Sequence, residues 1–133
     1  MSTRCLIGYL DRIPGVCDDV IFSYCHCNGY PSGVGKTLAE CYNTPELAGK
    51  IATLHGFSAL EKTYEETKAK EYENSSGYGK MTYNEYNCTN IYGVDYVYIY
   101  QPTRDNKSGS WSVRRTFGYD IDYLIEEDIL EKL

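Results

Sequence analysis

The 133 residues suffice for one domain, since two separate cores would each be too small to bury enough apolar surface, and a single α+β domain over residues 1–133 is expected. A formal net charge of −6 argues against non-specific binding to DNA or RNA, because that affinity comes from neutralising phosphates. No apolar run reaches the length of a transmembrane helix, and Met1-Ser2-Thr3-Arg4 leads into a β-like stretch without a signal-peptide pattern, so a cytoplasmic protein with no membrane contact is expected.

Fifteen residues are tyrosine, so tyrosine carries much of the apolar burial. Each buried phenol needs a partner for its hydroxyl, which favours wet clefts or interfaces over a uniformly oily core. The six cysteines (Cys5, Cys17, Cys25, Cys27, Cys41 and Cys88) are expected to be reduced thiols in such a compartment.

In chain order, residues 4–10 and 19–26 read as two strands of a hairpin, joined by the turn-rich Asp11-Arg12-Ile13-Pro14-Gly15. Alternation in the second places Val20, Phe22, Tyr24 and His26 on one face and Ile21, Ser23 and Cys25 on the other. A turn over Gly29 to Gly33 opens a short helix with Val34, Leu38, Cys41 and Tyr42 at helical spacing. Thr44 caps a second helix, Pro45 suits its first position, and Leu47, Ile51 and Leu54 form its apolar stripe up to Gly56.

Ser58 and Glu61 have capping-box spacing, so Ala59 to Glu73 is expected as a solvated helix or protruding arm, within a helical arm and loop over 60–93. Residues 74–79 read as a connector, and 80–93 fit no pattern. Val94 to Tyr100 is the clearest strand, with Tyr96, Tyr98 and Tyr100 opposite Val97 and Ile99. Trp111 to Phe117 is its antiparallel partner, with Trp111, Val113, Arg115 and Phe117 on one side. A terminal helix from Asp120 or Asp122 carries Ile121, Leu124, Ile125, Ile129 and Leu133. This order implies an antiparallel sheet of about four strands with helices packed mainly on one face.

Gly33-Val34-Gly35-Lys36-Thr37, after a strand and opening a helix, invites a Walker A reading, but the spacing fails. The motif needs glycine five residues before Gly35, where Tyr30 stands, and Gly29 is one residue too early. A weaker expectation survives: glycines at a helix start let amides converge, and Lys36 adds a positive charge, so the segment suits a phosphate or carboxylate. The competing account is that Gly29, Pro31, Gly33 and Gly35 only shape a tight turn.

Cys25-His26-Cys27 suggests metal, yet it lacks the paired Cys-x2-Cys spacing of structural zinc sites, and in a strand His26 points away from both cysteines. No metal and no cofactor is expected. Cys-His nucleophilic pairs are barely above chance in a chain with six cysteines and two histidines, and the carboxylate pairs lie on charged, solvated faces. Aromatic and basic residues (Arg4, Tyr24, His26, Tyr30, Tyr96, Tyr98, Arg104, Trp111, Arg114 and Arg115) are the last constellation, since rings stack on bases and arginine pairs with phosphate. The competing account is a Tyr-rich sheet packed on its helices. The candidate ligand-binding set is therefore Arg4, Tyr24, His26, Asn28, Gly29, Tyr30, Gly33, Gly35, Lys36, Trp111 and Arg115, with no catalytic residue assigned.

The opening Ser2-Thr3-Arg4-Cys5-Leu6-Ile7, with Ile21 to Leu38 around Tyr24-Cys25-His26-Cys27-Asn28-Gly29-Tyr30-Pro31 and then Tyr42-Asn43, resembles small uncharacterised proteins of bacteriophages and prophages. Asn28 stands where that family carries aspartate, which weakens an acid-base or metal role there. The phage setting implies a host-takeover or anti-defence accessory protein in the host cytosol, commonly a symmetric homo-oligomer. The function expected is sequestration of a nucleotide-derived signal of host immunity. The alternatives are an acidic inhibitor that meets a host defence protein through Glu61 to Glu73 and Glu126 to Glu131, or a small nucleotide-acting hydrolase using His26.

Overall fold

Cys5-Leu6-Ile7-Gly8-Tyr9-Leu10 carries no polar alternation, which is the pattern of a strand buried on both faces. A computed structural model, describing residues 3–11, 18–73, 77–88 and 93–115 and only the backbone at 87 and 88, places it at the centre of the sheet. This strand, β1 (Cys5–Asp11), pairs antiparallel with β2 (Asp19–Cys25), with Cys5 opposite Cys25 and Asp11 opposite Asp19. On its other side it pairs parallel with β4 (Tyr96–Pro102), Cys5 opposite Tyr96. The outer strands, β3 (Tyr78–Thr82) on β2 and β5 (Gly109–Arg115) on β4, are both antiparallel.

The fold is α+β, as expected, but the sheet is five-stranded and mixed, in the order β3-β2-β1-β4-β5. The expectation of about four antiparallel strands is corrected in two respects. After β2 the chain passes through helices, returns as β3 beside β2, and only then crosses to the free side of β1, a long crossover that sets β4 parallel to it. The extra strand escaped notice because Tyr78-Gly79-Lys80-Met81-Thr82 is a half-exposed edge without an apolar stripe.

The helices are short. One wide π turn (Pro31–Gly35) runs into α1 (Lys36–Cys41), followed by α2 (Pro45–Ala52), α3 (Tyr64–Lys68) and α4 (Tyr83–Cys88). Thr44 caps α2 as expected, its hydroxyl oxygen accepting from the Leu47 amide at 3.2 Å, with Pro45 at the first position.

The segment read as a helix from Ala59 to Glu73 differs. Ser58 cannot cap, because its backbone lies between two strand-like neighbours: its carbonyl accepts from the Cys27 amide at 3.0 Å and its amide donates to Lys70 at 3.2 Å. The helix begins instead at Thr63, which forms a capping box with Glu66, accepting from its amide at 3.2 Å and donating to its carboxylate at 2.9 Å. Bridges from Cys25 to Phe57 and from Phe57 to Glu71 hold residues 57–71 against the end of β2. They do not stand out as an arm.

Strand alternation sorts the core as expected. Tyr96, Tyr98 and Tyr100 join Ile7, Trp111 and Val113 on the face covered by Leu38, Tyr42, Ile51 and Phe57. Leu6, Val20, Phe22, Val97 and Ile99 face the other way, against Val94 and Tyr86 of α4. Helices thus lie mainly on one face, with α4 alone across the other among the described residues. Tyr86 fits because β1 has no side chain at Gly8, where a Cβ would sit 2.7 Å from the Tyr86 hydroxyl. That hydroxyl donates to the Tyr98 carbonyl at 2.6 Å. Residues 12–15 of the expected turn, 74–76 of the expected connector, Phe117 and the terminal helix lie outside the described residues, while Tyr78 and Gly79 of that connector belong to β3. Among the described residues no helix is long and apolar enough to cross a membrane.

Candidate functional site

Beyond Cys25 the chain leaves β1: the amides of His26 and Cys27 donate to Phe57 and Ser58 instead. Asn28 then reverses direction at φ 58°, the left-handed region that asparagine tolerates better than most residues. Gly29 follows with its amide on the Thr3 carbonyl at 2.8 Å, and its Cα faces the backbone at the start of β1. A Cβ there would lie 2.9 Å from both Thr3 O and Arg4 C, so no side chain fits unless the strand moves. Gly29→Ala is accordingly expected to destabilise the protein by about 1–3 kcal/mol, the cost of forcing atoms into a packed site, read as a lower urea midpoint with an unchanged slope.

The glycine segment uses its own donors. Gly33 N–H donates to Tyr30 O and Val34 N–H to Asn28 O, both at 2.9 Å, and Lys36 N–H reaches Gly33 O and Pro31 O. The Tyr98 hydroxyl donates to Gly29 O at 2.8 Å, and burial pushes that phenol well up, so it stays neutral and keeps its donor. The Gly33, Val34 and Lys36 amides, which an anion cradle would present, are thus engaged inside the turn. Gly29, Gly33 and Gly35 shape the turn and dock it on the sheet, and a ligand has to be met by side chains.

Those side chains line a cleft of about 350 Å³. Asn28, Tyr30, Gly33 and Lys36 from the expected set are there, joined by Cys27, Ser32, Val34, Thr37 and Glu40. Leu60 and Lys62 complete the lining from the chain between α2 and α3. Tyr30 is 40% exposed, and its hydroxyl donates to Asn28 Oδ1 at 3.3 Å, which sets the ring at the cleft's edge. The Lys62 segment is fixed from below. Tyr42, buried and with its phenol pushed up to about 12 mainly by that burial, donates to Glu61 O at 2.7 Å. Thr67 Oγ1 accepts from the Glu61 amide at 2.9 Å. Lys36 and Lys62 are exposed, and neither forms an ion pair among the described residues.

The other expected residues lie elsewhere. Tyr24 and His26 share the sheet face opposite Cys25, with the Tyr24 hydroxyl 2.8 Å from His26 Nδ1. Burial pushes the Tyr24 phenol up, against a smaller opposing pull from Arg4, and none of these three residues lines the cleft. Trp111 is in the core, only 6% exposed: its ring meets Tyr100 edge-on at 5.2 Å and its Nε1 donates to Tyr42 O at 3.1 Å. Arg115 ends β5 opposite Tyr96 and does not line the cleft. Arg114, from the wider aromatic and basic constellation, is buried on the far face and donates to Tyr86 O at 2.5 Å. The single aromatic platform expected from the sequence is therefore divided between core and surface.

Lys62 is the charged lining residue from outside the turn that the sequence did not offer. Lys62 stood in a charged stretch that read as a solvated helix, and nothing local marks it as facing Lys36. Two carboxylates of that stretch are turned to internal use: Glu61 pairs with Lys70, and Glu71 pairs with Lys68 at 3.3 Å. Glu71 also accepts from the His55 amide at 2.7 Å, and that bond is the main cause holding its carboxyl below the usual range. Among the described residues no three His, Cys, Asp or Glu side chains converge as a metal ion requires. Comparison with protein-family models, with curated proteins and with solved structures gives no match to this chain.

Proposed function

We propose that this chain is a non-enzymatic binding protein for a small anionic, nucleotide-like ligand, held in the cleft between the start of α1 and residues 60–62. The observation that carries the reading is the convergence of Lys36 and Lys62, from separate elements, on one cleft edged by the exposed ring of Tyr30. Two ammonium groups without carboxylate partners among the described residues suit phosphate oxygens. A tyrosine face suits a purine or pyrimidine ring. At about 350 Å³ the cleft sits near the lower end of small-molecule sites, in keeping with a nucleotide-sized compound.

That the ligand is a nucleotide-derived signal of host immunity, sequestered in the cytosol by a phage accessory protein, rests on the resemblance of the opening strand and the Tyr24 to Pro31 turn to phage and prophage proteins. The acidic-inhibitor reading draws less support, since Glu61 and Glu71 are already paired with lysines of their own segment. Its second acidic stretch, Glu126 to Glu131, lies outside the described residues.

Thermal unfolding in the presence of cyclic mono- and dinucleotides and ADP-ribose derivatives tests the proposal. A ligand at a hundredfold excess over its Kd adds about 2.7 kcal/mol to the folded state, which raises the midpoint by several degrees. An unmoved midpoint with every compound of that panel would contradict it.

A further inference from the structure

Two thiols face each other where the first strand pair ends. Cys5 opens β1, Cys25 closes β2, and the antiparallel register sets them directly opposite. Both are free and both are fully buried. The Cys25 Sγ donates to the Cys27 carbonyl at 3.5 Å, and after burial Cys25 is the main neighbour acting on the Cys5 thiol. Directly opposed residues of an antiparallel pair have Cα atoms about 4.5–5.5 Å apart. A disulfide accepts Cα separations of about 4.4–6.8 Å, so the sheet already holds these backbones where a bond between the sulfurs needs them. Among the described residues no other two cysteines are register partners.

We propose that Cys5 and Cys25 are a redox pair, a cross-strand dithiol that hydrogen peroxide closes into a disulfide. One thiolate attacks the peroxide, the O–O bond breaks, and the sulfur becomes a sulfenic acid as one water leaves. The second sulfur attacks the first, the S–O bond breaks, and the hydroxyl departs as a second water while the S–S bond forms. Two thiols lose two electrons and two protons, and one peroxide is reduced to two waters.

The surroundings set the rate and the consequence. Burial first, and neighbouring Cys25 next, push the Cys5 thiol well up and keep it protonated, so closure depends on local opening of the strand ends and is slower than oxidation of an exposed thiol. A bond from residue 5 to residue 25 closes the β1–β2 hairpin covalently, which shortens the freedom of the unfolded chain and favours the folded state. The pair also lies beneath the cleft's turn, since a Cβ on Gly29 would meet the Cys5 Cβ at 3.0 Å.

The test is peptide mapping of the native, full-length protein after treatment with hydrogen peroxide, with the remaining thiols alkylated before digestion. The expected result is one linked species joining the Cys5 and Cys25 peptides, lighter than their sum by two hydrogens and released by dithiothreitol. Cys27→Ser and Cys41→Ser should keep that link, and the urea midpoint of the oxidised wild type should exceed that of the reduced protein. Links scattered among the six cysteines, or a Cys5 peptide that is fully alkylated after treatment, would overturn the pair. The map uses wild-type protein, so its outcome does not depend on the folding of any Cys5 variant or on ligand binding in the cleft.

Discussion

Tyr98→Ala is expected to lower the free energy of unfolding by about 3–5 kcal/mol, the range for removing a large, fully buried aromatic side chain. Tyr98 lies in β4 between β1 and β5 with no exposed surface. Its ring fills the helix-covered core, and its hydroxyl holds the glycine turn by donating to Gly29 O at 2.8 Å. Tyr98→Phe separates the two contributions: the ring stays, and the buried carbonyl of Gly29 loses its partner, at an expected cost of about 1–3 kcal/mol. Urea denaturation of both variants checks this. A Tyr98→Ala loss below about 1 kcal/mol would mean that the turn is not fastened to the sheet through this residue.

The second large effect concerns binding. The double variant Lys36→Glu and Lys62→Glu is expected to abolish binding of an anionic ligand, while either lysine replaced singly by alanine weakens it about tenfold to a hundredfold. Those factors correspond to about 1.5–3 kcal/mol for each charge-assisted contact. Both lysines are exposed and unpaired among the described residues, so the urea midpoint of the double variant should stay close to that of wild type. Equal losses from Arg4→Ala or Arg115→Ala would instead place the ligand outside the cleft.

The sheet was legible where burial imposes a period. Tyr96, Tyr98 and Tyr100 against Val97 and Ile99, and Val20 and Phe22 in β2, all fell on the faces that alternation gives them. Thr44 and Pro45 likewise marked α2 by local chemistry alone. The pairing of β1 with β4 was not legible, because no local pattern says which strand lies beside which across the intervening helices. Nor was β3, whose half-exposed residues carry no stripe. Ser58 looked like a helix cap, but it follows the Phe57 bridge with its backbone bonded to Cys27 and Lys70, a demand that outweighs its side-chain preference.

The site divides in the same way. Asn28, Tyr30, Gly33 and Lys36 share a cleft because they are neighbours along one turn, which sequence shows directly. Lys62 joins them only through the docking of Glu61 on Thr67 and on Tyr42, the latter a contact across 19 residues of chain. Trp111 was misplaced because alternation tells one face from the other but not which face the helices cover; its indole N–H is taken by the Tyr42 carbonyl. The glycines promised free amides, but those of Gly29 and Gly33 are taken by the Thr3 and Tyr30 carbonyls, a distinction that lies in hydrogen-bond partners rather than in residue types.

The most direct test of the cleft is amide chemical-shift mapping of the isotope-labelled protein, titrated with the nucleotide that gives the largest thermal stabilisation. Perturbations are expected to concentrate at Cys27 to Thr37 and at Leu60 to Lys62, saturating with added ligand. Perturbations centred on Arg4, Tyr24 and His26, or on β5 around Trp111 and Arg115, with residues 27–37 and 60–62 unmoved, would contradict a ligand site in the cleft.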